Sequence, residues 1–204
     1  MIGHVSRETE ERLDCLCEMI ARWNPTINLV SSASLTQLSS RHVADSAQLI
    51  NHVSGPVKLW VDLGSGGGFP GLVVAAILNE TLPDCKVTLI ESDQRKSVFL
   101  QQAAIQMRLK TVHVINCRIE DAPKQNADIV SARALAPLSK LLALAQRHLS
   151  PVGTGLFLKG QGVSAELEEV HAQGWRFDLK CHQSITDVTG TILKVTNIAH
   201  QAAE

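Results

Sequence analysis

Five of the eight residues from Gly64 to Gly71 are glycine, and they stand directly behind the strand-forming run Leu59-Trp60-Val61-Asp62-Leu63. Glycine loses more backbone freedom on folding than any other residue, so such a density implies a left-handed backbone or a close approach. Pro70 suits the first turn of a following helix, where its missing N–H costs nothing. A strand feeding a bare loop and then a helix puts free N–H groups against a ligand at the carboxyl edge of a parallel sheet. The competing reading is a tight turn that holds nothing.

The surrounding pattern fits that α/β class. Short runs rich in strand formers at 57–63, 86–90, 112–115, 128–131, 155–159 and 191–195 are separated in several places by helical stretches, at 70–78, 95–109, 137–149 and 163–171. Such alternation predicts right-handed crossovers and a mostly parallel sheet with helices on both faces. Upstream, Leu13, Leu16, Cys17 and Ile20 recur at helical spacing among charged residues, and Asn24-Pro25 predicts the end of that helix. A second helical stretch is expected over 41–53, with Val43, Ala47 and Ile50 on one stripe; Gly55-Pro56 then marks a boundary. The expected organisation is a helical extension, 1–54, packed on a core, 55–204.

With 45% hydrophobic and 19% charged residues the chain can bury a real core, and with only 3% aromatics and no tyrosine that core must be aliphatic. Base-stacking platforms are correspondingly scarce. The net charge of −1 does not advertise nucleic-acid binding, so any polyanion site must arise from local clustering. Five scattered cysteines include only the close pair Cys15 and Cys17, which lacks metal-site spacing, and buried reduced thiols are expected. No leader or apolar span is visible, which points to a cytoplasmic protein without membrane or metal.

The ligand is narrowed by acids at strand ends. Gly66, Gly68 and Gly71 match the G-x-G-x-x-G pattern of a dinucleotide site. Asp62, two residues before Gly64, would repel a pyrophosphate but suits the cationic amino group of a methionine moiety. Glu91, closing the next strand, can take both ribose hydroxyls of an adenosine, a feature shared with NAD proteins. Ile119-Glu120-Asp121 follows the third strand, where an adenine would lie. Together these favour S-adenosylmethionine over NAD, with Asp62, Gly64, Gly66, Gly68 and Glu91 as cofactor residues.

Beyond the loop, the chain resembles the bacterial small-subunit ribosomal RNA guanine-N7 methyltransferases, the glucose-inhibited division protein B family. The likeness runs from Trp23-Asn24 and Ile27-Asn28-Leu29 through Arg41-His42-Val43-Ala44-Asp45-Ser46 to Phe69-Pro70-Gly71. It continues in Glu91-Ser92-Asp93-Gln94-Arg95-Lys96, Phe99-Leu100, Arg118-Ile119-Glu120, Ser131-Ala132-Arg133-Ala134 and Lys159-Gly160. The resemblance implies a Rossmann-like methyltransferase core and methylation of one guanine N7 in the 530 loop of 16S rRNA. The partner would then be 16S rRNA or the small subunit, and the enzyme a monomer. It also implies that Gly64, Phe69, Ile119, Glu120 and Arg133 line the cofactor site. The C-terminal strand departs from the family pattern, with Thr189-Gly190-Thr191 where an arginine is expected before Ile192.

Guanine N7 carries a free lone pair, so no general base is needed, only alignment and charge stabilisation. Arg133 and Lys159, at strand ends, are the catalytic candidates, and Arg41, His42 and Lys159 are candidates to bind substrate. Bland alternatives stand beside each. Arg133 can pair internally with Glu120 or Asp62, Arg41 with Asp45 one helical turn away, and Lys159 can be a solvated strand end. A methyltransferase acting on a small molecule or protein, or a non-enzymatic nucleotide-binding module, would also carry such a loop.

Overall fold

The alternation of elements closes into a single sheet. Its strands are β1 (Leu59–Leu63), β2 (Lys86–Glu91), β3 (Val112–Asn116), β4 (Ala127–Arg133), β5 (Leu149–Lys159), β6 (Trp175–Gln183) and β7 (Thr191–His200). The computed structural model describes residues 5–200. Expectations about the N-terminal leader and the last polar residues fall partly outside the described residues. The strand order is β3-β2-β1-β4-β5-β7-β6, and every pairing is parallel except those of β7, which runs antiparallel to both neighbours. From β1 the chain winds outward to β2 and β3, then returns to the other side for β4 and β5. The crevice between β1 and β4 is therefore the switch point where α/β sheets bind ligands.

The helices are α1 (Arg7–Ile27), α2 (Ala44–Ala47), α3 (Gly71–Thr81), α4 (Gln94–Gln106), α5 (Leu138–His148) and α6 (Val163–Ala172). Alternation within the strands divides the core. Trp60, Val87, Leu89 and Ile129 pack under α1, α3 and α4, whereas Val61, Leu63, Ile90 and Val130 pack under α5. Helix α3 is buried from Gly71 through Leu78, which matches its almost unbroken apolar sequence beneath α1. Leu13, Leu16 and Ile20 of α1 join this same cluster, each contributing about 1.5–3 kcal/mol by leaving water. Glu80 reinforces the attachment, because its Oε2 accepts from the Ser6 and Thr9 hydroxyls, both at 2.7 Å.

Four local expectations are corrected. Helix α1 runs past Pro25 to Ile27; its end is set instead by Asn28 in the left-handed region and by buried Asn24, whose Oδ1 accepts from Val30 N at 2.8 Å. The helix expected over 41–53 is a broken spiral of a π turn at Leu38–Val43, α2, and a 3₁₀ turn at Gln48–His52. Ser46 donates back to His42 O there at 2.7 Å, and Asp45 and Gln48 are drawn off to other partners. Strand β6 was not expected, although Trp175-Arg176-Phe177-Asp178-Leu179-Lys180 alternates apolar and polar residues without a break. Of the five cysteines only Cys85 is buried, while Cys181 is exposed on edge strand β6. No helix among the described residues is long and apolar enough to cross a membrane.

Candidate active site at the carboxyl edge of the sheet

The loop after β1 is built by backbone conformation. Gly64, Gly66 and Gly68 have φ of +67°, +52° and +89°, where a side chain would be strained. Gly64 N and Ser65 N both donate to Ile90 O, and Gly66 N donates to Glu91 Oε2 at 2.8 Å. The other Glu91 oxygen accepts from Asp93 N, also at 2.8 Å. A Cβ at Gly68 would stand 2.6 Å from Leu72 Cδ1, and one at Gly71 2.4 Å from Leu89 Cδ2. At Gly66 the nearest atom would be Gly64 O at 3.8 Å. The last glycines pack against protein, whereas Gly66 faces open space.

That space is a cleft of about 270 Å³. Gly64 and Gly66 line one side, with Ile90, Ile119, Leu135 and Leu144 as apolar walls and Glu91 and Glu120 as acceptors. Lys96, Arg118 and Lys140 stand around it, and Lys140 pairs with Glu120 at 3.1 Å. Apolar walls for a flat ring, an acid at a strand end and a loop that leaves room for backbone approach together fit an adenosine-bearing ligand.

A second cleft, about 420 Å³, shares Ala134 with the first. Arg133 reaches into it, its Nη1 donating to His42 Nδ1 at 2.5 Å and its guanidinium lying 5.0 Å from the Phe69 ring centroid. The His42 ring lies 5.2 Å from the same phenyl. Because Arg133 donates to Nδ1, the proton of neutral His42 sits on Nε2, which is buried and without a hydrogen-bond partner. Burial, then the Arg133 charge, push His42 down to about 4, and burial lowers Arg133 to about 10. His42 is therefore neutral at pH 7.

The profile of the rRNA small subunit methyltransferase G family matches residues 9–195. The ribosomal RNA small subunit methyltransferase G of Paracoccus denitrificans is 44% identical over 196 residues, covering 96% of this chain and 98% of that one. Its counterpart in a Jannaschia species is 46% identical over 190 residues, covering 93% and 89%. This chain belongs to the rRNA small subunit methyltransferase G family. Solved structures share the fold at much lower identity. A SAM-dependent methyltransferase from Aquifex aeolicus superposes with a TM-score of 0.61 at 14% identity, covering 81% of this chain and 98% of its own. TYW2 of M. jannaschii in complex with AdoMet gives a TM-score of 0.53 at 14% identity, covering 84% of this chain and 78% of its own.

In this rRNA methyltransferase the expected residues divide into three groups. Gly64, Gly66, Glu91, Ile119 and Glu120 gather around the first cleft, and Arg41, His42, Arg133 and Lys159 around the second. Asp62, Gly68 and Phe69 lie behind these surfaces. Asp62 is fully buried, with Oδ1 accepting from Ser131 Oγ at 2.6 Å and Oδ2 lying against Gly71 without a partner. Arg133 pairs with His42 rather than with Glu120 or Asp62. Arg41 pairs with Asp187 at 3.1 Å rather than with Asp45, whose Oδ1 accepts from Ser184 and Thr186 across the cleft. Spacing had pointed to neither long-range partner. Leu135, Lys140 and Glu166 were also missed, and only the Ser-x-Arg-Ala strand end signalled the loop that carries Leu135.

Lys159 is not a solvated strand end. Its side chain is 12% exposed, 2.6 Å from Glu166 Oε2 and 3.2 Å from Ala136 O. The same Glu166 oxygen accepts from Leu138 N at 2.6 Å. The pair thereby pins Ala136 and Leu138, which follow Ala134 and Leu135 in the wall of the first cleft. Glu166→Gln should loosen that wall, costing about 1–2 kcal/mol of stability and weakening S-adenosylhomocysteine binding several-fold. Thermal melts and calorimetry would check both, and an unchanged affinity would separate the pair from the cleft.

Proposed function

We propose that this rRNA methyltransferase transfers the methyl group of S-adenosylmethionine to N7 of a guanine in the 530 loop of 16S rRNA, without a general base. One observation carries the reading: a cleft with apolar walls and acidic acceptors and a cleft rich in hydrogen-bond donors meet at Ala134, on the switch point of the sheet. Bound in the first cleft, S-adenosylmethionine supplies an electrophilic methyl on a sulfonium. Glu91 keeps lone pairs for ribose hydroxyls while its present bonds hold Gly66 and Asp93 in place. Ile119 and Leu135 would hold the adenine between them, and Asp62 braces the loop from beneath.

On the substrate side the edge of guanine presents two acceptors, O6 and N7. N7 must stay free for attack, so donors should engage O6 alone. His42 Nε2–H, fixed in its tautomer by Arg133 and buried without a partner in the free protein, becomes such a donor only as the incoming base displaces what covers it. Attack through the N7 lone pair would require no residue of the site to take or give a proton. Arg133 orients His42 and lies beside the reacting base, Arg41 meets phosphate at the rim, and Lys159 positions the shared wall. Residues 1–54 act as a helical extension on the 55–204 core. Incubating the protein with methyl-tritiated S-adenosylmethionine and small-subunit rRNA should label 7-methylguanosine on nucleoside analysis. Label in any other nucleoside would overturn the N7 assignment.

A further inference from the structure

A third concavity is left unused by this chemistry. Between α1 and α4 lies a groove of about 580 Å³ walled by Arg22, Trp23, Thr26, Ile27, Arg95 and Val98. Its floor is apolar. Trp23 is half-buried, resting edge-on against Phe99 with ring centroids 5.7 Å apart, and Val98 is 42% exposed. The Trp23 indole N–H has no hydrogen-bond partner among the described residues, in contrast to Trp60, whose N–H is bonded to Ser131.

The rim is cationic. Arg22 is exposed and forms no ion pair among the described residues, although Glu18 stands one turn away on α1. Arg95 is 68% exposed and touches Asp93 only at 3.5 Å. The Asp93 carboxylate is itself occupied in capping α4, accepting from Arg95 N and Lys96 N. Two exposed guanidiniums on either side of a half-buried indole are what a base with its phosphates requires: a flat apolar seat and cations at the backbone. A protein partner burying an apolar groove would have to leave both charges desolvated or pair them. In a chain with so few aromatics and a net charge of −1, this coincidence is local and specific.

The groove and the first cleft are separate, but both are lined from α4. Lys96, the neighbour of Arg95 on α4, lines the first cleft with Arg118 and Lys140, so one helix carries a cation to each. We propose that the groove seats a nucleotide of single-stranded RNA flanking the target guanine, its base on Trp23 and Val98 and its phosphates on Arg22 and Arg95. This rests on the rRNA reading above and adds to it a second point of grip outside the reacting pocket.

Tryptophan fluorescence tests it directly. Of three tryptophans, Trp60 and Trp175 are 0% and 7% exposed, so quenching by a stacked base reports Trp23. Titration with a mixed-sequence single-stranded dodecaribonucleotide should quench the signal in a salt-dependent manner, and Trp23→Phe should abolish the quench. Arg22→Glu with Arg95→Glu, both at the surface, should weaken the oligonucleotide at least about tenfold. It should raise KM for rRNA with kcat and S-adenosylhomocysteine affinity unchanged. No quench in the native protein, equal RNA affinity in the double variant, or binding only to protein-containing particles would each overturn the proposal. Failure of the native protein to methylate rRNA would instead strike the functional reading, and the fluorescence titration would still decide the groove.

Discussion

Gly66→Val is expected to weaken S-adenosylhomocysteine binding by at least about 100-fold, about 2.7 kcal/mol, while the protein still folds. The physical reason is the empty space around this residue. A Cβ at Gly66 would find only Gly64 O, at 3.8 Å, so the added methyls enter the first cleft instead of colliding with protein. Its φ of +52° adds strain for a β-branched residue of about 1–3 kcal/mol. Two companions separate that strain from occlusion. Gly66→Ala carries much of the strain with less bulk and should bind more tightly than the valine variant. Gly71→Ala sits at ordinary φ but drives its methyl into Leu89 and the Asp62 carboxylate, so it should lower the melting temperature first. Calorimetry and thermal melts on the three variants give the comparison. Normal affinity in Gly66→Val would remove the ligand from this cleft.

The residues that could be placed from sequence are those whose role is local. Gly64, Gly66 and Glu91 were readable because a strand end and the loop after it fix their positions through the backbone alone. The central strands were readable because burial on both faces leaves a nearly continuous apolar run, broken only by Asp62 in Leu59 through Leu63. What escaped was non-local. Arg41 and Asp187 are 146 positions apart, and His42 and Arg133 are 91 apart. Their meeting depends on how the broken spiral before β1 docks against the end of β4 and the β6–β7 turn, which no spacing encodes. The same reasoning explains Lys159. A lysine at a strand end reads as solvated until Glu166, from the following helix, is folded back over it. Strand β6 is a different case: its alternation was in the sequence, and its position at the sheet edge gave it only one buried face.

The carboxylate beneath the glycine loop should make stability fall as pH rises. Burial raises Asp62 from near 3.8 to about 6, against the hydrogen bond from Ser131 that favours the charged form. The folded state therefore holds a proton that the unfolded chain has shed, and between pH 4 and 6 this costs the fold up to about 3 kcal/mol, with no further change above. His42 works in the opposite sense. Its depressed value means that the unfolded chain gains a proton first as pH falls from 6.5 towards 4, so acid destabilises the fold through this group. The two slopes oppose one another over the same interval, and the native protein should show a shallow profile. Asp62→Asn removes only the first. Asparagine keeps an acceptor for Ser131 and cannot ionise, so its stability relative to the native protein should improve steadily from pH 4 to 6 and then level off. Urea midpoints at unit intervals from pH 4 to 7 would measure the difference. Parallel curves for the two proteins would mean that Asp62 ionises at its ordinary pH and that the space under the loop is better solvated than its burial implies.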